Sequence, residues 1–268
     1  MIFYHMPRTG GTSIKTLSII NDKLEFHSNE RTSMKSLKQE IDQWTLQKDI
    51  VGKGKLVKFI EFHYELEPFI TAKDDLARWR RNANENNIPF FVFTVMRDPV
   101  TLYVSIFNFF CIYLHKATRV YCPPPHDINR MREISSDNPQ ARWYCFGTTL
   151  ALTAKEKLSN TKPINDCASN LPDLMKVHFD WIGIFASLKE TCAVFQSMGI
   201  NLGIVHKNGV TGIKSVIKKR ALNTTVIDEI QKEVTVDLEL HAWAKSTFTL
   251  SNFGIDARIL NDIEEKKG

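Results

Sequence analysis

Apolar residues gather in four short runs along the chain, with polar or helically spaced segments between them. Ile2, Phe3 and Tyr4 read as a short buried strand that Pro7 stops. Leu56, Val57, Phe59, Ile60 and Phe62 predict a second, mostly buried strand within residues 55–64, with His63 at its end. Pro89-Phe-Phe-Val-Phe-Thr-Val-Met96 is apolar on both faces, the pattern of a central strand in a parallel sheet. Trp181-Ile-Gly-Ile184 predicts the last strand.

The 3.6-residue spacing predicts a helix starting at Thr12 or Ser13 and one within residues 21–51, where Leu37, Ile41 and Trp44 share a face. Further helices are expected over residues 73–83, from Pro99 onward with Asp98 as N-cap, and over residues 165–176, 187–198, 224–234 and 236–248. Asn138-Pro-Gln-Ala-Arg-Trp-Tyr144 reads as a helix restarted by the same capped-proline device. Residues 116–137, which contain Cys122-Pro-Pro-Pro-His126, read as a long loop of the lid, binding-loop or disordered kind. Strands alternating with helices predict a single α/β domain over residues 1–268, with a central parallel β-sheet between layers of helices.

Composition changes this picture little. The chain is 43% apolar and 24% charged, and its longest apolar run has strand length, so no segment is expected to cross a bilayer. The first residues read as core strand rather than as a signal peptide, which points to a soluble, cytoplasmic protein; a Golgi lumen location would require an anchor that has been removed. A formal net charge of +5 favours anionic ligands, whereas the basic clusters at residues 78–81 and 218–220 read as solvated helix faces. The five cysteines form no CxxC pair, so no zinc site is expected and reduced thiols are the simpler reading.

Two places carry the chemistry. In Pro7-Arg-Thr-Gly-Gly-Thr-Ser13, Gly10 and Gly11 allow close backbone approach, and the helix that follows offers free N–H groups and its positive dipole end to an anion. The loop lacks the Gly-Lys-Ser/Thr ending of nucleotide triphosphatases, and its basic residue, Arg8, precedes the glycines. The second place is Arg97-Asp-Pro-Val-Thr-Leu-Tyr-Val-Ser105, where Arg97 leaves a strand end and Ser105 lies about two helical turns later, so both can reach one anion. The planar fork of arginine suits phosphate.

These two segments together resemble the sulfotransferase family. Residues 5–13 are similar to its Pro-Lys-Thr-Gly-X-Thr/Ser loop for the 5′-phosphosulfate, and residues 97–105 to the Arg-Asp-Pro-X-X-Arg-X-X-Ser segment that holds the 3′-phosphate of 3′-phosphoadenosine 5′-phosphosulfate (PAPS). Arg8 replaces the usual lysine, and Leu102 stands where an arginine is common. The opening His5-Met-Pro-Arg-Thr-Gly-Gly-Thr-Ser13 looks closest to the branch with the heparan sulfate and chondroitin O-sulfotransferases. Asn138-Pro-Gln140, Trp181-Ile-Gly-Ile184 and Asp237 echo that branch more thinly.

The resemblance implies a P-loop-like three-layer sulfotransferase fold, PAPS as donor, PAP as product and an acceptor hydroxyl on a carbohydrate or small molecule. Arg8, with the N–H groups of Thr9, Gly10, Gly11, Thr12 and Ser13, is then expected to stabilise charge on the departing phosphate, and Arg97 with Ser105 to hold the 3′-phosphate. His63 looks like the branch's catalytic base, and Glu61, two residues before it on the strand, is the fallback base or an orienting partner. Lys214 resembles a late basic residue that closes over the cofactor. Gln140 and Arg142 are candidate acceptor contacts, and Trp143, Tyr144 and Tyr121 would suit a sugar ring or a planar molecule. No metal is implied. Two rivals stay open: a nucleotide or nucleoside kinase, which the missing Gly-Lys-Ser/Thr disfavours, and a nucleic-acid or polyanion-binding module, which the dispersed basic residues disfavour.

Overall fold

The computed structural model describes residues 1–6, 9, 14, 23–28, 33–47, 57–63, 68–118, 128–147, 164–200, 204–205, 222–262 and 265–266. Five parallel strands form the central sheet: β1 (Ile2–His5), β2 (Leu24–Ser28), β3 (Val57–His63), β4 (Val92–Met96) and β5 (Trp181–Ile184), in the order β2-β3-β1-β4-β5. Strand β1 lies in the middle, with Phe3 opposite Glu61 of β3 and Phe93 of β4. All four expected strands form. The edge strand β2 lies within residues 21–51, where only a helix is expected; Leu24-Glu-Phe-His-Ser28 buries only its two end residues fully.

Strand alternation divides the core into layers. Ile2, Tyr4, Ile60, Phe62, Val92 and Met96 face one side. Against them pack α1 (Met34–Leu46), α2 (Phe69–Glu85), α5 (Pro139–Phe146), α7 (Leu171–His178) and α10 (Thr235–Thr247). Phe3, Phe59, Phe93 and Val95 face the other side, against Ile14 and α8 (Leu188–Ser197). Ile14 is helical and buried, in keeping with the helix expected there. A third cluster joins α3 (Pro99–Thr118) to α4 (Ile128–Ile134) and α9 (Thr224–Glu233) through Tyr103, Phe107, Met131 and Ile230. The three-layer α/β architecture is therefore present. Among the described residues, no helix is long and apolar enough to cross a membrane.

Four local expectations are corrected. Helix α3 runs to Thr118 and residues 128–134 form α4, so the expected 116–137 loop is helical at both ends; residues 119–127 lie outside the described residues. The helix expected over residues 165–176 is two helices, α6 (Asn165–Ala168) and α7, with Pro172 in the first turn of the second. Cys145 and Cys167 form a disulfide, where reduced thiols were expected, while Cys192 is a buried free thiol whose pKa burial pushes up to about 12. The basic cluster on α2 is not a purely solvated face. Arg78 bonds Asp42 and Asp75, and Arg80 makes a two-pronged pair with Asp180 at 2.8 and 2.9 Å.

Candidate functional site

In an open parallel sheet, ligands bind beyond the carboxyl ends of the strands where neighbouring connections part to opposite sides. The strand order places that point between β1 and β4. From β1 the chain proceeds to β2 at one edge of the sheet, and from β4 it proceeds to β5 at the other. The glycine loop follows β1 and Arg97 follows β4, so both predicted anion segments leave the same end of adjacent strands.

Of the first segment, Thr9 is described. It is fully buried, and its hydroxyl donates to Met6 O at 2.7 Å. Arg8, Gly10, Gly11, Thr12, Ser13 and Lys214 lie outside the described residues.

The second segment is described in full. Asp98 Oδ1 accepts from Thr101 N at 2.9 Å, so Asp98 caps α3 as its type and position predict. Arg97 is half-buried between β4 and α3, its Nη1 donates to Ser105 Oγ at 3.2 Å, and its guanidinium carbon lies 4.9 Å from the centre of the Phe185 ring. Stacking on an aromatic face restrains a guanidinium while leaving its edge directed elsewhere. The expected convergence of Arg97 and Ser105 is present.

Gln140, expected as an acceptor contact, is placed otherwise. It is 1% exposed; its Oε1 accepts from Arg97 N at 3.0 Å and its Nε2 donates to Arg97 O at 2.9 Å. Its amide thus holds the main chain of the residue expected to grip phosphate. Arg142, the other expected contact, forks onto Asp137 with bonds of 2.9 and 2.8 Å to the two carboxylate oxygens. Trp143 and Tyr144 are buried in the core, where Tyr144 OH shares a hydrogen bond with Thr94 Oγ1 at 2.9 Å. Burial pushes the Tyr144 pKa up. Neither ring is available to stack on an acceptor.

The start of α5 also differs from the capped-proline expectation. Asn138 adopts a left-handed conformation, with φ of 43°, and makes no cap to its own helix. Its Oδ1 instead accepts from Val236 N and Asp237 N in the first turn of α10. Asp237 returns the contact, accepting from Gln140 N at 2.9 Å and Ala141 N at 2.7 Å. The two helices therefore cap each other. Burial pushes the Asp237 carboxyl up to about 7, against the pull of those two N–H donors and of Arg142.

Beside the first segment, the carboxyl ends of β1, β2 and β3 meet in a buried polar cluster. Glu61 is fully buried, with His5 Nδ1 2.8 Å from its Oε1 and Ser28 Oγ donating to its Oε2 at 3.2 Å. His5 also stacks on Phe3. Glu61 is enclosed by these partners, which fits the orienting alternative better than that of a base in contact with an acceptor. His63 is the last residue of β3, in register with His5, and its side chain lies outside the described residues. The sequence singles out Glu61, whereas His5 enters only as the first residue of the opening motif. The signal for the pair was available, since both are polar residues at adjacent strand ends. The sequence marks Asp237 and Asn138 separately but carries no signal of their pairing, because their partners lie 97 and 98 residues away. No protein-family model matches the chain, and none of the curated proteins matches it.

Proposed function

We propose that this chain is a PAPS-dependent sulfotransferase that moves the sulfuryl group to a hydroxyl of a carbohydrate or small molecule. The observation that carries the reading is the joined pair Arg97–Ser105 at the end of β4, beside β1 and the glycine segment that follows it. Two anion-binding segments on adjacent strands suit a nucleotide phosphorylated at both ends of its ribose. PAPS supplies an activated sulfuryl group whose leaving group is a phosphate.

Arg97, held by Phe185 and Gln140, presents a charged planar fork with the Ser105 hydroxyl beside it, a donor set that fits a phosphate dianion. Arg8 and the N–H groups of residues 9–13 take the 5′ end. His63, at the carboxyl end of β3, takes the proton from the acceptor hydroxyl. Glu61 and His5 are paired on the same two strands, with His5 in register with His63. The Cys145–Cys167 disulfide supports an oxidising compartment rather than the cytoplasm. Paired substitutions test the reading. Arg97→Ala abolishes PAP binding, whereas His63→Ala keeps binding and loses turnover by at least ~100-fold. Tight PAP binding by Arg97→Ala removes the 3′-phosphate assignment.

A further inference from the structure

Behind the Arg97–Ser105 pair stands a relay of contacts that reaches across two helices, α5 and α10. The Gln140 side chain bonds both the N–H and the carbonyl of Arg97, 43 residues earlier, and is almost fully buried in doing so. A glutamine amide offers one donor and one acceptor, the pair needed to bond the N–H and the carbonyl of a single residue. Gln140 is held in turn by Asp237, whose fully buried carboxylate fixes the Gln140 and Ala141 N–H groups. Asn138 locks the reverse direction by accepting from Val236 and Asp237. The main chain from which the Arg97 guanidinium extends is thus clamped by α5, and α5 by α10.

We propose that Gln140 and Asp237 are positioning residues for the Arg97–Ser105 site: they fix the Arg97 main chain and thereby set the site's preference for a nucleotide carrying a 3′-phosphate. The proposal rests on the PAPS reading above. A long, jointed side chain amplifies small rotations at its root, so a misdirected Arg97 main chain carries the fork away from the phosphate even though the fork itself is intact. Neither Gln140 nor Asp237 needs to touch the ligand. Their effect is therefore confined to the phosphate that Arg97 holds, and the rest of the nucleotide binds as before.

The test is calorimetric titration of the full chain with PAP and with adenosine 5′-phosphate, which lacks the 3′-phosphate, in parallel with near-ultraviolet circular dichroism. The variants are Gln140→Met, which keeps length and volume, Asp237→Asn, and Tyr144→Phe as a control. Tyr144 sits on the same helix and its substitution removes a buried hydrogen bond to Thr94 without touching Arg97. Wild type is expected to prefer PAP strongly. Gln140→Met and Asp237→Asn lower the PAP to adenosine 5′-phosphate affinity ratio by about tenfold with little change for adenosine 5′-phosphate, and Tyr144→Phe keeps the wild-type ratio. If Gln140→Met does not fold, Asp237→Asn decides by the same ratio. A wild type that prefers PAP, with variants that keep its ratio, overturns this proposal alone; so does a Tyr144→Phe ratio that falls equally. A wild type without the preference overturns the PAPS reading and this proposal together.

Discussion

His5 Nδ1 lies 2.8 Å from Glu61 Oε1, deep between β1 and β3, and the second Glu61 oxygen accepts from Ser28 of β2. One carboxylate therefore ties together the carboxyl ends of three strands, next to the segment where the glycine loop begins. Buried donors deprived of an acceptor are costly, on the order of 1–3 kcal/mol each. Glu61→Ala is expected to destabilise the fold by about 3 kcal/mol, and Glu61→Gln, which keeps one acceptor, by less. Urea unfolding reads this directly; a Glu61→Ala midpoint equal to wild type contradicts it.

Asp237 makes stability depend on pH. Its folded pKa, near 7, lies above the ordinary carboxyl value of 3.8, so the folded state binds the proton more tightly than the unfolded chain. The resulting stability is complete below about pH 4 and is lost as pH rises through about 7, by as much as about 4 kcal/mol. Burial is the main cause; the Asp137 carboxylate adds to it, and the Gln140 and Ala141 N–H groups and Arg142 oppose it. Asp237→Asn should flatten the fall in unfolding free energy between pH 5 and 8 relative to wild type. Equal slopes would show that Asp237 is ionised throughout.

The Cys145–Cys167 disulfide pins the end of α5 to α6 across a separation of 22 residues. Closing a loop of that length restrains the unfolded chain by about 3 kcal/mol in the chain-entropy account. Reductant, or Cys145→Ser, is expected to lower the melting temperature by several degrees. Mass mapping of the unreduced protein should recover the 145–167 pair; recovery of two free thiols there contradicts the assignment.

Gly183, in the middle of β5, has no room for a methyl group. A Cβ there would overlap Thr191 Oγ1 and lie 3.2 Å from Trp181 Nε1, which donates a hydrogen bond to that hydroxyl at 3.1 Å. Gly183→Ala must push α8 away from the sheet or break that bond, at a cost of about 1–3 kcal/mol. A thermal melt matching wild type would show that α8 yields freely.

The sheet was legible in the sequence where strands are apolar on both faces, as in β1, β3, β4 and β5. Strand β2 escaped because an edge strand with half-exposed Glu25, Phe26 and His27 carries too few apolar positions to mark a period. Arg97 and Ser105 were legible because both sit on one strand-to-helix unit, where spacing along the chain fixes spacing in space. Gln140 bonds the Arg97 main chain, a partner its sequence does not announce, since nothing local tells a buried amide from an exposed one. The Asn138–Pro139 pair shows the same limit. Its sequence predicts a self-made cap, yet a left-handed Asn138 gives its side chain to α10 and leaves Asp237 to cap α5. Disulfide pairing among five cysteines is likewise fixed by the fold, not by spacing.

The most direct test of the donor reading is calorimetric titration of the purified chain with PAP, with magnesium ATP run in parallel. PAP is expected to bind with micromolar or tighter affinity (Kd of about 1 μM corresponds to roughly 8 kcal/mol), and magnesium ATP not comparably. Binding of magnesium ATP without PAP would contradict it and return the segment after β1 to a phosphotransferase.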